Sequence, residues 1–517
     1  MTSSGRAVGG VGGSGKTLPP TSIKFGIGQP IRRFEDVRLL KGGGRYQNDV
    51  TVPHEAQAVI VRSVHAHAKV TRIDTAKALA APGVLGVFTG ADVKDLGTMQ
   101  MTLKRQRPDG GPMFSSPHRG LAQGRVRYVG DPVALVVAET RAQAEDAAEL
   151  VEVEYEPLKS VTVTAETIGG APVWDECPDN ICNVFEAGNR SAADAALAGA
   201  ARVIKRRFVI TRVHAQYMEP RGAMGVYDHR EERYVLYADV QYPHRVRNAL
   251  ATNIFKVPEH QIRVIAGDVG GGFGTKGWQY PEHRLMLWAA RKVGRPVRWV
   301  CERREAIPAD EHARDNVTEA ELALDAGGKF VGLRVRTLAN VGAYVSSDRN
   351  LLATFSNVGT LVGVYAIPAA HVEVLSVFSN TNPTAPYRGA GRPEATYVIE
   401  RMIDEAAQEL GVDRFELRRK NLIPASAMPY KNPLGPTYDC GEFEKSMDMA
   451  LKLADVAGFA ARREEAKQRG KLRGLGLTNP IEQAAGPQPE FAEVRFSPSG
   501  TATLFMGTKN QGQGHET

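Results

Sequence analysis

Gly270-Gly271-Gly272-Phe273-Gly274-Thr275-Lys276, Pro386-Tyr387-Arg388-Gly389-Ala390-Gly391-Arg392 and Gln511-Gly512-Gln513-Gly514-His515-Glu516-Thr517 are three glycine-rich stretches in one chain of 517 residues. Neighbouring glycines let backbone N–H groups converge on an anion, and let the chain approach a ligand where any Cβ would clash. Three such loops point to one large, oxyanion-rich cofactor gripped from several sides.

Taken alone, the first loop also fits a dinucleotide fold. Gly272-Phe273-Gly274-Thr275-Lys276-Gly277 reads G-x-G-x-x-G, a strand is expected at 262–265, and Glu302 follows Gly277 by about 25 residues, near where such folds place a ribose-binding acid. Against this, Ala266-Gly267-Asp268-Val269 separates the strand from the glycines and Pro281 delays the helix, so a tight strand–turn–helix is not expected. A phosphate-loop pattern over 10–17 is rejected too, because no apolar run precedes it and Leu18-Pro19-Pro20 opposes a following helix.

In the second loop Arg388 and Arg392 bracket Gly389-Ala390-Gly391. They can present planar charged forks to a phosphate or carboxylate, or pair with structural acids. Glu394, one residue after Pro393, reads as a helix-start residue rather than a catalytic one. In the third loop Gln511 and Gln513 can donate amide hydrogens to oxygen-rich groups. His515 has no second His or Cys beside it, so hydrogen bonding is expected of it rather than metal ligation.

The elements that must position these loops follow a mixed α and β pattern. Strands are expected at 58–61, 133–137, 151–155, 207–211, 234–237, 262–265, 297–300, 333–337, 493–496 and 502–505, the last two paired; helices are expected at 141–150, 282–292, 394–410 and 443–469. Residues 1–29 read as a disordered leader, 30–165 as a first domain, 166–189 as a linker, 190–425 as a second domain and 426–517 as the start of a third. The strand at 502–505 runs into a glycine loop at which the sequence stops, so the last domain is expected to be truncated or completed by another polypeptide.

The bulk numbers exclude several classes. A net charge of +7 with interspersed signs, and no aromatic–basic array, argues against nucleic-acid binding. No uncharged apolar run approaches the roughly 18–20 residues of a membrane span and no signal-type apolar region opens the chain, so a cytoplasmic enzyme is expected. Cys177, Cys182, Cys301 and Cys440 form neither a zinc ribbon nor an iron–sulfur ligand set, and all four are expected to be buried, reduced and structural. If the chain does redox chemistry, its electrons would leave through another subunit.

In order and spacing the three loops resemble the molybdenum-binding large subunit of the xanthine oxidase family, closest to aerobic carbon monoxide dehydrogenase and related aldehyde and N-heterocycle dehydrogenases. Gly130-Asp131-Pro132, Met218-Glu219-Pro220-Arg221-Gly222, Gln241 with Pro243-His244, and Val398 through Glu405 add to the likeness, which runs from Ile31 to Thr517. The resemblance implies an α+β fold: an α/β hammerhead domain, then molybdenum-cofactor-binding domains, the last incomplete. It implies a molybdenum–molybdopterin cofactor, with a cytosine dinucleotide tail as one form, and 2Fe-2S and FAD on partner subunits in a dimer of heterotrimers. Carried over by position, Gln241 and Phe273 stand nearest the metal. Gly271, Gly272 and Gly274 supply backbone beside it, Arg388, Gly389, Ala390 and Gly391 line the opposite side, and Gln511, Gly512, Gln513, Gly514 and His515 hold the pterin and its tail, with no direct side-chain ligand to the metal. The activity so implied is hydroxylation of an aldehyde or N-heteroaromatic carbon with water as oxygen source. A dinucleotide-dependent dehydrogenase and a non-catalytic cofactor-binding subunit are the alternatives.

The sequence also departs from the family. The carbon monoxide enzymes carry a copper-holding cysteine just after the Tyr-Arg pair, where this chain has Gly389, so carbon monoxide oxidation is not expected. Purine-specific relatives place a glutamate after the loop lysine, where this chain has Gly277. Tyr344 and Phe355 are candidates for the substrate funnel, although core packing suits both better. No residue matches the family's general-base glutamate, so this chain alone is expected to be inactive.

Overall fold

The computed structural model describes residues 30–345, 347–351, 358–482 and 490–517. The leader over 1–29, with its phosphate-loop pattern, and Phe355 lie outside these residues. Arg45–Gln513 form one compact unit, and the described residues up to Gly44 form a second together with Gly514–Thr517. Within that smaller unit Thr517 Oγ1 accepts the Phe34 N–H at 2.8 Å and donates to Glu35 Oε2 at 2.6 Å, and Arg38 pairs with Glu516 at 3.1 Å.

Two sheets dominate the larger unit. The first has seven strands in the order Ile262–Ile265, Arg233–Ala238, Gly222–Asp228, Val297–Val300, Ala56–Arg62, Pro132–Ala138 and Val84–Thr89. The second has five, in the order Ile181–Gly188, Ala370–Phe378, Phe330–Gly342, Ala313–Leu324 and Arg202–Val213. Both are mixed sheets. In the first, Ala56–Arg62 runs parallel to Val297–Val300 and antiparallel to Pro132–Ala138, so strands from both sides of the stretch 166–189 share one ladder.

That stretch is not a linker. Ile181–Gly188 is an edge strand of the second sheet, paired antiparallel with Ala370–Phe378, and Cys182 and Asn183 within it are buried. The strand is specified by its partner rather than by its own propensity. The helix expected over 443–469 is likewise two helices, Phe443–Leu453 and Phe459–Gln468, separated by a turn in which Asp455 has φ +46°. Cys440 is exposed, unlike the other three thiols, because it sits on a loop outside the core. Among the described residues, no helix is long and apolar enough to cross a membrane.

The dinucleotide reading fails on topology. Ile262–Ile265 is the outer strand of its sheet, and two strands separate it from Val297–Val300, the strand that follows the next helix. The strand before the glycine loop and the strand after the following helix are therefore not neighbours, as the two strands that flank a dinucleotide-binding loop and helix must be.

Helix Pro281–Val293 packs on the first sheet, starting at a first-turn proline and ending at Gly294 in the left-handed region, φ +69°. It is buried almost all round, so its early polar residues need partners. Glu282 takes Arg62 at 2.8 Å and Arg221 at 3.0 Å, and Arg221 in turn takes Asp310 at 2.6 Å. Helix Arg392–Leu410 packs on the second sheet through Ala395, Val398, Ile399, Met402 and Ile403. Arg418 fastens its far side by pairing with Glu400 at 2.8 Å and Asp404 at 2.9 Å.

Gly225 lets the helix Pro281–Val293 seat, since a Cβ there would stand 2.3 Å from the Met286 carbonyl oxygen. Gly225→Ala is therefore expected to lower stability by about 1–3 kcal/mol through overpacking. Urea unfolding at neutral pH checks this, and an unchanged midpoint would show that helix and strand are not in such close contact.

Candidate functional site

The first glycine loop spans the gap between strand Ile262–Ile265 and helix Pro281–Val293. Its shape is fixed from behind by one buried ammonium. Lys276 Nζ donates to the Glu219 carbonyl at 2.6 Å, lies 3.2 Å from Glu219 Oε2 and in contact with Asp239, and stands 4.5 Å from the centre of the Tyr217 ring. The acids bind backbone in turn. Glu219 Oε2 accepts the Gly270 N–H at 2.7 Å, Glu219 Oε1 accepts the Gln47 N–H at 3.1 Å, and Asp239 accepts the Gly222 N–H at 3.0 Å. Burial pushes the Asp239 carboxyl up to about 6, against the pull of Lys276.

The front of the loop faces Gln241. Its Oε1 accepts the Gly274 N–H at 2.8 Å, its Nε2 donates to Gln511 Oε1 at 3.0 Å, and its own N–H donates to the Lys276 carbonyl at 2.9 Å. Gly272 allows this approach, because a Cβ there would lie 2.6 Å from Gln241 Cδ. Gly274, at φ +102°, brings in the second loop in the same way, since its Cβ would stand 2.2 Å from the Pro386 carbonyl oxygen. Phe273 itself has φ +50°, a strained conformation for a residue with a side chain, and its ring is 40% exposed. Its carbonyl accepts the Arg388 N–H at 2.8 Å.

The structure thus brings Gln241, the loop Gly270–Lys276, the loop Pro386–Arg392 and Gln511 together. In the second loop Gly389, Ala390 and Gly391 all have positive φ. Arg314 holds it by donating to the Arg388 carbonyl at 3.0 Å and pairing with Glu394 at 2.7 Å, which makes Glu394 a structural helix-start residue. The two arginines divide: Arg392 pairs with Glu482 at 3.3 Å, whereas the exposed Arg388 side chain forms no ion pair among the described residues. In the third loop Gln513 Oε1 accepts the Gln511 N–H at 2.5 Å, and both glutamine amides donate to the Lys509 carbonyl, at 2.9 and 3.2 Å. Gly514 and His515 belong to the smaller compact unit. Tyr344 is a core residue whose hydroxyl donates to Asp131 at 2.8 Å.

Two observations bear on what this arrangement can hold. The N–H groups of Gly271, Gly272 and Phe273 donate to no acceptor among the described residues, although both glycines are buried. Three consecutive unused donors, with the Gln241 amide at one side and a free guanidinium on the facing loop, fit a large group rich in anionic oxygen. Among the described residues no three His, Cys, Asp or Glu side chains converge as a metal-ligand set.

Sequence reasoning missed Asp239, Arg349 and Glu311. Arg349 Nη2 donates to the Gly274 carbonyl at 2.5 Å, and its Nη1 lies 3.3 Å from Glu311. Long sequence separations join these residues to the loop, so no local spacing marks them. For Glu219 the run Met218-Glu219-Pro220 was a usable signal.

Comparison with known proteins gives the class and then the family. Residues 41–159 match the aldehyde oxidase and xanthine dehydrogenase a/b hammerhead domain, and 173–422 and 449–517 match two molybdopterin cofactor-binding domains. Nicotine 6-hydroxylase large subunit of Paenarthrobacter nicotinovorans is 36% identical over 95% of this chain and 61% of its own length. Carbon monoxide dehydrogenase large chain of Hydrogenophaga pseudoflava is 33% identical over 93% of this chain and 63% of its own. Among solved structures, quinoline 2-oxidoreductase from Pseudomonas putida 86 superposes with a TM-score of 0.85 at 34% identity, covering 94% of this chain and 63% of that one. The chain spans less than two thirds of the length of these relatives. It belongs to the xanthine oxidase family of molybdenum hydroxylases, on the side of the molybdopterin-binding large subunits.

Removing the loop's ammonium leaves the buried Asp239 and the partly buried Glu219 uncompensated. Lys276→Met is expected to cost about 3–5 kcal/mol at pH 7. The loss should shrink as pH falls toward about 6, because burial already raises the Asp239 carboxyl above its ordinary value of 3.8 and removing the pull of Lys276 raises it further, so the folded variant takes up a proton that relieves the unpaired charge before the wild type does. Denaturant melts from pH 7 to pH 5 check the sign.

Proposed function

We propose that this chain binds a molybdenum–pterin cofactor in the cleft of the three glycine loops, and that it is the catalytic large subunit of an enzyme hydroxylating an N-heteroaromatic or aldehyde carbon. The observation that carries the reading is the row of unused N–H groups at Gly271–Phe273, beside the Gln241 amide and opposite Arg388. When bound, the cofactor supplies two-electron chemistry at molybdenum with water as the source of the inserted oxygen.

The chain's own part is to bind, orient and exclude. Gly271, Gly272 and Phe273 donate to the anionic face of the group, Gln241 presents the amide hydrogen not used by Gln511, and Arg388 offsets charge from the other side. Gly389, Ala390 and Gly391 line that side with backbone. Gln511, Gly512 and Gln513 take the pterin and its phosphate or cytosine-dinucleotide tail. The domains are drawn as 30–165, 190–425 and 426–517, a division that the three matched spans support and that the shared seven-stranded sheet crosses.

N-heteroaromatic and aldehyde substrates are preferred for two reasons. Nicotine and quinoline enzymes are among the most similar relatives. Gly389 carries no sulfur for a copper ion, and Gly277 carries no carboxylate for a purine. Electrons would pass to iron–sulfur and FAD subunits in a dimer of heterotrimers. A cytoplasmic location is part of the same reading, supported by the unpaired thiols.

Protein purified from its source with its co-purifying subunits is expected to contain molybdenum and pterin in equal amounts. Gln241→Ala should retain both and lower turnover of an N-heteroaromatic substrate by about 10²–10³-fold, the usual effect of losing one positioned donor. Bound nicotinamide, or molybdenum-free protein with unchanged turnover, would overturn the proposal.

A further inference from the structure

Behind the first glycine loop the chain passes through Trp278, Gln279 and Tyr280 into helix Pro281–Val293, and a small cavity lies against this turn. Its volume is about 10 Å³, close to what one ordered water requires. Five of its lining side chains carry a buried polar atom with no hydrogen-bond partner among the described residues. These atoms are His118 Nε2, Trp278 Nε1, Gln279 Oε1, Arg284 Nε and Glu311 Oε2. Buried polar atoms are seldom left unpaired, and five around one cavity point to a ligand.

Three of these side chains, Gln279, Arg284 and Glu311, are held through their other polar atoms. Arg284 Nη1 donates to the His118 carbonyl at 3.1 Å and to the Gly97 carbonyl at 3.4 Å, and Gln279 Nε2 donates to the Tyr280 carbonyl. Glu311 Oε1 accepts from Asn350 at 3.5 Å, while its Oε2 lies 3.3 Å from Arg349 without hydrogen-bond alignment. His118, Gln279 and Arg284 are each more than nine-tenths buried, with exposures of 9%, 6% and 1%.

Donor and acceptor chemistry selects the ligand. Trp278 Nε1 and Arg284 Nε can only donate, and Gln279 Oε1 can only accept. An anion would satisfy the first two and repel the third, and a cation would do the reverse. Burial beside Arg284 holds the His118 pKa down to about 3, so its neutral ring offers one donor and one acceptor. Only a small molecule that both donates and accepts meets all of these groups.

We propose that this cavity is an internal water site, in which ordered water bridges the donors Trp278 and Arg284 to the acceptors Gln279 and Glu311. The site has a mechanical consequence for the loop. Glu311 pairs with Arg349, and Arg349 Nη2 donates to the Gly274 carbonyl at 2.5 Å, so the water braces one end of an arm that ends on the glycine loop.

Diffraction from the assembled protein, at a resolution where other buried waters are visible, should show water density within hydrogen-bond reach of at least two of the five atoms. An empty cavity there, or one that xenon fills under pressure, overturns the proposal, because xenon enters dry apolar voids. Glu311→Gln keeps an acceptor and should keep the water. Glu311→Met should lose it, and retention of the same water in that folded variant would contradict the bridge to Glu311. Wild-type density decides the question if the methionine variant does not fold.

Discussion

One buried ammonium sets the geometry on which the cleft of the glycine loops depends. Lys276 is fixed by Glu219 and Asp239, and those two acids bind the N–H groups of Gln47, Gly222 and Gly270. A single charge thereby ties a short turn, a central strand and the start of the glycine loop into one arrangement. Such a cluster is costly to desolvate and stabilises only when every member is paired. Its value here is positional: with the back of the loop saturated, the N–H groups of Gly271, Gly272 and Phe273 are left for something else.

A second buried network ties the two sheets' surroundings together. Arg221 joins Glu282 and Asp310, and Asp310 also meets His214 at 2.7 Å and the Tyr217 hydroxyl. Burial alone would raise the Glu282 carboxyl, but the guanidinium groups of Arg221 and Arg62 on either side hold it well below the ordinary range. It therefore stays charged at neutral pH, and the helix that follows the glycine loop is anchored by ion pairs as well as by its apolar face. Tyr217 belongs to both networks, accepting Lys276 over its ring and donating to Asp310.

Much of this was legible in the sequence where the signal is local. Strand Ile262–Ile265, helix Pro281–Val293 and helix Arg392–Leu410 follow from apolar spacing and first-turn prolines. The glycine loops were visible because close approach excludes a Cβ. Strand Ile181–Gly188 was hidden because it exists through its pairing with Ala370–Phe378, residues far away in the chain. The joining of strands from either side of the stretch 166–189 into one sheet was hidden for the same reason. Arg349, Glu311 and Asp239 give no sequence sign of their part in the site, since an isolated acid or arginine looks the same whether it is solvated or buried against a loop.

Gln241 shows why the residue type matters as much as its place. Its Oε1 takes the Gly274 N–H while its Nε2 gives a hydrogen to Gln511, so one side chain spans the first and third loops. A carboxylate of the same shape could accept from Gly274 but would have nothing to donate to Gln511 Oε1, leaving two acceptors face to face. A shorter amide would have to draw the loops together, against the contact already set by Gly272, where even a Cβ would collide with Gln241. Glutamine at 241 and glycine at 272 therefore form one requirement. Loop spacing, amide length and the absent Cβ together leave one amide hydrogen beside the unused backbone donors, and that local pattern favours an oxo-rich group over a nucleotide ring in the cleft.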